Sequence, residues 1–286
     1  NSTESSSSRL MSFSLILFFL YHTLNFMMSA ESTKKNLFDA DDWGFSPAIN
    51  EGILSLAENG WLNSASCTAN IPHLGHRLED LLRASTTGPG LSLHFNLTYG
   101  KPLSRLTRAS WLIDTHSGHF FPQKTLLKNL LLGKVSQEAV GEEFYKQLQQ
   151  LITLGVPVSS INGHQHIHLL PGITATIRAA LRATGGPYKL RVMTDTSHKM
   201  SFLLTQFFKT FLHQPNDVFT LVPCHYLQNH HLRSEKEFFA KLTSSNGIPL
   251  LTHPALHDDF QQSGMTDPLQ ANRIYQLRMI LKYLSR

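Results

Sequence analysis

From residue 36 onward, short apolar runs that alternate like strands trade places with segments whose apolar residues recur at helical spacing. Asn36-Leu37-Phe38 is a short apolar strand running into Asp39-Ala40-Asp41-Asp42. Ser46-Pro47 then opens a helix with Ile49, Ile53, Leu54 and Leu56-Ala57 on one face. Ser46 suits its N-cap, Pro47 its first position and Gly60 its stop. Residues 63–70 read as a small-residue strand, 77–84 as a short helix and Gly88-Pro89-Gly90 as a turn. Leu91 to Leu97 alternates at period two, as a strand does. Residues 99–135 are irregular, a long loop with a helix near 124–132, and an amphipathic helix over 137–155 ends at Gly155 and Pro157. Strands are predicted at 158–161, 189–193, 219–222 and 249–252, and helices at 172–184, 200–213, 234–245 and 268–284. This alternation, with no internal repeat, predicts one parallel α/β domain, either a barrel or a doubly wound sheet. Ligands bind such folds at the carboxyl ends of the strands.

Composition narrows the function classes. At 286 residues with 41% hydrophobic and 16% charged, the chain can bury a large core and is not disordered throughout. Its net charge of +5 is spread without a basic run, which weighs against a nucleic acid or membrane partner. Two cysteines, Cys67 and Cys224, allow one disulfide but exclude a disulfide scaffold and a Cys-rich zinc module. The unusual count is 16 histidines against 20 acids, because histidine is the commonest metal ligand. Residues 1–9 are Ser-rich, and 10–28 are apolar with polar interruptions. That stretch reads as a spurious upstream segment, a signal peptide or a poor membrane anchor. Residues 1–35 are therefore expected to be a leader outside the fold, leaving 36–286, or 286 − 35 = 251 residues, as the catalytic domain. The chain starts with Asn, and initiation near Met28 would put the first acidic motif 41 − 28 = 13 residues in.

Polar residues collect where strands end. Asp41 and Asp42 follow the first strand, His94 lies near the end of the strand at 91–95, and His164, His166 and His168 follow the strand at 158–161. Arg191 lies in the strand at 189–193 and His253 ends the strand at 250–252. An Asp with two His suits a divalent ion such as zinc with one position open to water, and a second carboxylate can take the water's proton. Adjacent Asp41 and Asp42 could divide those roles, provided the chain turns, and Trp43-Gly44 could supply the turn. His253 is a candidate general acid and Arg191 a group that orients the base or the substrate. Trp43, Trp61 and Trp111 could stack on a sugar. Each feature has a plainer reading: an Asp-Asp-x-Gly turn, a structural histidine, a salt-bridge arginine, a core tryptophan. Asn96-Leu97-Thr98 matches a glycosylation sequon, which matters only in a secreted protein.

In that order, the motifs resemble those of the YdjC-like carbohydrate deacetylases, which include chitooligosaccharide deacetylase and a hopanoid-biosynthesis relative. Asp39-Ala40-Asp41-Asp42-Trp43-Gly44-Phe45-Ser46 is similar to the family's Asn-Ala-Asp-Asp-Phe-Gly-Leu-Ser. His94 through Pro102 resembles His-x-x-Leu-Thr-x-Gly-x-Pro, and Asn162 through Pro171 resembles Asp-Ser-His-x-His-x-His-x-x-Pro. Leu251-Thr252-His253-Pro254 resembles a late His-Pro motif. The resemblance implies a single β/α-barrel-like domain, incomplete or distorted forms included, and metal-dependent N-deacetylation of an N-acetylated sugar with release of acetate. It implies Asp42, His94 and His164 as metal ligands, Asp41 as proton acceptor, His253 as general acid and Arg191 beside them, while His166 and Trp43, the latter standing where the family has Phe, are candidate substrate residues by their placement. The ion would be Mg²⁺ or Zn²⁺, with the ligand set favouring a zinc-like ion. A homodimer is an allowed assembly. A start near Met28 is usual for the family, and the resemblance thereby implies a cytoplasmic protein with a spurious leader; secretion is the alternative. Asn162 stands where the family has Asp, which would weaken support of His164, and the chain ends early for the family. Two rival readings stay open: another metal-dependent amide or ester hydrolase, and a non-catalytic sugar-binding homologue.

Overall fold

In the computed structural model, residues 38–107, 110–194, 199–207, 209–210, 219–226, 240, 247–259 and 270–284 are described. The expected leader over 1–35 lies outside them, as do the end of the helix expected at 200–213 and all but residue 240 of the one expected at 234–245.

Strands β1 (Phe38–Trp43), β2 (Leu62–Cys67), β3 (Gly90–Phe95), β4 (Val158–Gly163), β5 (Tyr188–Met193), β6 (Phe219–Tyr226) and β7 (Leu250–Thr252) pair in parallel in sequence order. β7 returns to β1, closing a seven-stranded barrel. Of the two architectures the alternation allowed, the closed barrel is the one formed. Around it run α1 (Pro47–Glu58), α2 (Leu78–Ser85), α3 (Gln123–Leu131), α4 (Gln137–Thr153), α5 (Pro171–Thr184), α6 (Lys199–Phe207) and α7 (Gln270–Leu284). No helix among the described residues is long and apolar enough to cross a membrane.

The helix starts follow local chemistry. The Ser46 hydroxyl accepts from the Ile49 amide at the start of α1, where Pro47 needs no partner, and Ser136 does the same for Ala139 at the start of α4. Val140, Phe144, Leu148 and Leu151 form the buried stripe of α4. Two polar residues share its buried side. Glu143 accepts from the amides of Leu103 and Ser104 and from the Ser104 hydroxyl, at 3.0, 2.8 and 2.6 Å. Gln147 bonds both the amide and the carbonyl of Asn96. The long excursion after β3 is thus fastened to α4 at several points, although its sequence reads as irregular.

The barrel interior is unusually polar. Asp39 accepts from Asn63 and Ser64, and Ser92 meets Ser160. Nearer the carboxyl ends lie Asp41, Ser66, His94, Asn162 and Arg191, all buried and joined by hydrogen bonds. Apolar packing is displaced outward, between strands and helices, where Phe38, Ile49, Phe95, Phe144 and Ile161 belong to one continuous core. Cys67 and Cys224 are both buried and free, so the disulfide that two cysteines would allow does not form.

Helix α1 lies against the segment that follows β7. The Ala48 amide donates to Asp259 and the Ala48 carbonyl accepts from the Leu256 amide. A methyl group at Gly52 would sit 3.0 Å from the Ala255 Cα and 3.1 Å from the Pro254 carbonyl carbon. On an exposed helix, Gly→Ala gains about 1 kcal/mol. Here Gly52→Ala is expected to cost about 1–3 kcal/mol by overpacking, read as a lower Tm; a raised Tm would contradict this close approach.

Candidate metal centre

The centre begins with a bulge in β1. Ala40 pairs with Ala65 and Trp43 with Cys67, so three steps along β1 match two along β2. The extra residue is accommodated at Asp42, whose φ of 74° lies in the left-handed region. On a regular strand neighbours face opposite sides, and an inserted residue re-aims one of them. Asp41 and Asp42 consequently serve the same site. The turn expected at Trp43-Gly44 forms, with the Phe45 amide bonded to the Asp42 carbonyl across it and Gly44 at φ 102°, and the left-handed Asp42 precedes it. Aspartate tolerates this conformation better than most residues.

Asp42 Oδ1 lies 3.0 Å from His94 Nε2 and 3.1 Å from His164 Nδ1. Among the described residues, these three are the group whose ligand atoms converge, all within 4.8 Å of one another. The hydrogen bonds behind them define what they can hold. His94 Nδ1 is 2.6 Å from the Asn162 side-chain oxygen, which can only accept. That nitrogen therefore carries the proton, and in the neutral ring Nε2 offers a lone pair. Nε2 faces the Asp42 oxygen at 3.0 Å, a separation that either a proton on the ring or a metal ion between the two atoms satisfies, and two imidazoles with one carboxylate suit a zinc-like ion.

Asn162 is thus in register beside His94 and supports that ligand, not His164 as its place in the motif suggested. Its amide nitrogen is turned toward Asp41 Oδ1 at 3.5 Å; an Asp there would set carboxylate against carboxylate. His164 is carried by the 3₁₀ segment His164–Leu169, in which Gln165 and His166 are both left-handed, and its ring packs 4.8 Å from Phe45. It is the one ligand that reaches solvent, so the centre opens on its side.

Two arginines balance the acids. Arg191 from β5 grips Asp41 with both terminal nitrogens, Nη1 to Oδ1 at 2.6 Å and Nη2 to Oδ2 at 2.5 Å. Ser66 donates to the same carboxylate. Arg273 from α7 donates to Asp42 Oδ2 at 2.6 Å. Burial alone would raise both carboxyl pKa values. Arg191 and His94 overcome it at Asp41, and Arg273, His164 and His94 at Asp42, so both lie well below the usual range. Burial likewise opposes charge on His94, but Asp41, with the contacts to Asp42 and Asn162, holds its pKa above the ordinary value. At His253, burial and then the Arg273 charge win against both acids and lower the pKa to about 4.

The other sequence candidates separate. Arg191 is committed to Asp41 rather than to a substrate. Trp43 is 0% exposed, with its indole N–H bound to the Leu74 carbonyl, so it is a core residue and not a sugar platform. Trp61 is buried too, whereas Trp111 is 37% exposed beneath Lys134. His166 lies beside His168, ring centroids 6.4 Å apart, outside the converging group. Asn96 of the sequon is wholly buried and hydrogen-bonded to Asn70, Thr98 and Tyr99, so the folded chain cannot present it for glycosylation. Arg273 went unnoticed in the sequence. Its signal was a polar residue among the buried positions Gln276, Leu277 and Ile280 of the last helix.

Residues 37–282 match the family described as YdjC-like protein. A chitooligosaccharide deacetylase of Serratia marcescens is 31% identical over 54% of this chain and 58% of its own length. A carbohydrate deacetylase of Mus musculus is 31% identical over 51% of this chain and 46% of its own. The chain thus spans about half the length of these relatives. A crystal structure from Enterococcus faecalis V583, described as a cellobiose-phosphate cleavage protein, aligns with a TM-score of 0.66 over 86% of this chain and 90% of that one. At 21% identity, that likeness speaks for the barrel alone.

His168 gives a pH test of the buried layer behind the centre. Its Nε2 donates to the Arg191 carbonyl, and burial, reinforced by the Arg191 charge, lowers its pKa from 6.5 to about 3. The unfolded chain takes up this proton below pH 6.5 and the folded chain does not. Stability from this group is therefore complete above that pH and falls on acidification, by up to about 1.4 kcal/mol per pH unit. Melting at pH 7 and pH 5 should show a smaller loss of Tm in His168→Gln than in wild type. Equal losses would mean that His168 is not held neutral.

Proposed function

The chain belongs to the YdjC-like protein family, and on that premise we propose that it is a metal-dependent carbohydrate deacetylase. Its reaction would hydrolyse the N-acetyl group of an N-acetylated saccharide, yielding acetate and the free amine. The observation that carries this reading is the Asp42 oxygen shared by His94 Nε2 and His164 Nδ1, three ligand atoms converging within 4.8 Å of one another. The relatives named as deacetylases supply the reaction class.

A zinc-like ion held by Asp42, His94 and His164 would activate water and polarise the acetyl carbonyl. The protein's own groups supply the proton path. Asp41 stands directly behind His94, Oδ2 to Nδ1 at 3.9 Å, and Arg191 fixes its plane. It accepts the proton as the water oxygen bonds to the carbonyl carbon. His253, held neutral with a pKa of about 4, has no proton to spare at the outset. It serves as a general acid only after receiving the proton taken from water, which it returns to the nitrogen as the C–N bond breaks. A single proton thus travels from water to amine. Solvent reaches the ligands on the His164 side, which is where the acetamide would enter.

Acetate release from N-acetylglucosamine oligomers, measured with and without a chelator, tests the reading. Activity is expected only with the ion. Asp41→Asn should keep the ion and lose about 10²–10⁴-fold in rate, whereas His94→Ala should lose the ion, as elemental analysis would show. Acetate release that survives chelation would refute the metal assignment. Release from simple amides but not from sugars would transfer the reaction to another substrate class.

A further inference from the structure

The last helix reaches the candidate metal centre from the far end of the chain. Arg273 lies 231 positions after Asp42 and is buried. It occupies Asp42 Oδ2, while Oδ1 is the oxygen turned to both imidazoles. The two oxygens of one carboxylate therefore have separate partners. Three residues on, Gln276 accepts from the Thr252 hydroxyl at 2.7 Å and the His253 amide at 2.8 Å, fixing α7 against the end of β7. Arg273 is thus held on a rigid element in a dry site, and its charge matches that of the carboxylate it touches. Nothing in the metal reading requires it, since Asp42, His94 and His164 converge without it.

We propose that Arg273 is a positioning residue for the metal centre: it restricts Asp42 to presenting one oxygen and acts as its counter-charge when no ion is bound. The inference rests on the metal reading above. Arg273 and the ion would share one buried negative charge, each through its own oxygen of Asp42. A buried carboxylate stripped of its partner is strongly destabilising. A divalent ion would also bind more tightly without a fixed guanidinium beside it.

Zn²⁺ binding at pH 7.5, by competition with a chromogenic chelator, and the Tm with and without Zn²⁺ test this on the full chain. Arg273→Gln should bind Zn²⁺ about tenfold or more tightly than wild type, and Zn²⁺ should raise its Tm further than it raises that of wild type. Arg273→Lys keeps the charge, so it should fold without the ion and bind it within about threefold of wild type. Gln276→Ala removes the other tie of the same helix. It should lower the Tm equally with and without Zn²⁺ and leave affinity unchanged. If Arg273→Gln binds Zn²⁺ no more tightly than wild type, or if Arg273→Lys tightens it as much as Gln does, the inference is overturned and the metal reading stands. If wild type binds no Zn²⁺, both fall.

Discussion

Two neighbouring carboxylates are buried at one end of this barrel, and most of what surrounds them answers to their charge. Asp41 and Asp42 are each about 1% exposed, where an isolated ionised carboxylate would be too costly to keep. Arg191 and Arg273 cancel the two charges one for one, and Ser66 and the two imidazoles take up further oxygen capacity. The strands at this level consequently carry Ser, His, Asn and Arg inward in place of the branched apolar residues that usually fill barrels. The apolar core is moved to the layer between strands and helices.

Meeting that constraint uses backbone strain in two places. Asp42 is left-handed, and so are Gln165 and His166 directly after His164. Non-glycine residues in this region cost of order 1 kcal/mol or more, and they persist where surrounding structure over-determines them. The surroundings do so here: Gly44 donates to Asn50, and Gln123 donates to the Gln165 carbonyl. The strained residues are those that aim two of the three converging ligands, while His94, on a regular stretch of β3, is aimed by Asn162 in the adjacent strand.

The residues gathered at strand ends were readable because strand and helix periods place an element's end to within a few residues. Asp41, Asp42, His94, His164 and Arg191 emerge together at one end of the barrel for that reason. Caps at Ser46 and Ser136 were readable because their chemistry is local. What escaped depended on partners far apart in the chain. The bulge at Asp42 follows from pairing with β2, and Asn162 serves His94 because β3 and β4 lie in register. Trp43 carries an N–H that could have met a sugar, yet its partner is the Leu74 carbonyl, 31 positions away. Arg273 has the longest reach of these, with no neighbouring residue to announce it.

That reach has a consequence during synthesis. The two acids leave the ribosome early, the Arg191 guanidinium follows 150 residues after Asp41, and Arg273 follows 231 residues after Asp42. β7, which closes the ring against β1, also arrives late. The arginine partner of Asp42 and the strand that completes the ring thus both come from the last part of the chain, so closing the barrel and balancing the second acid draw on the same late-made segment.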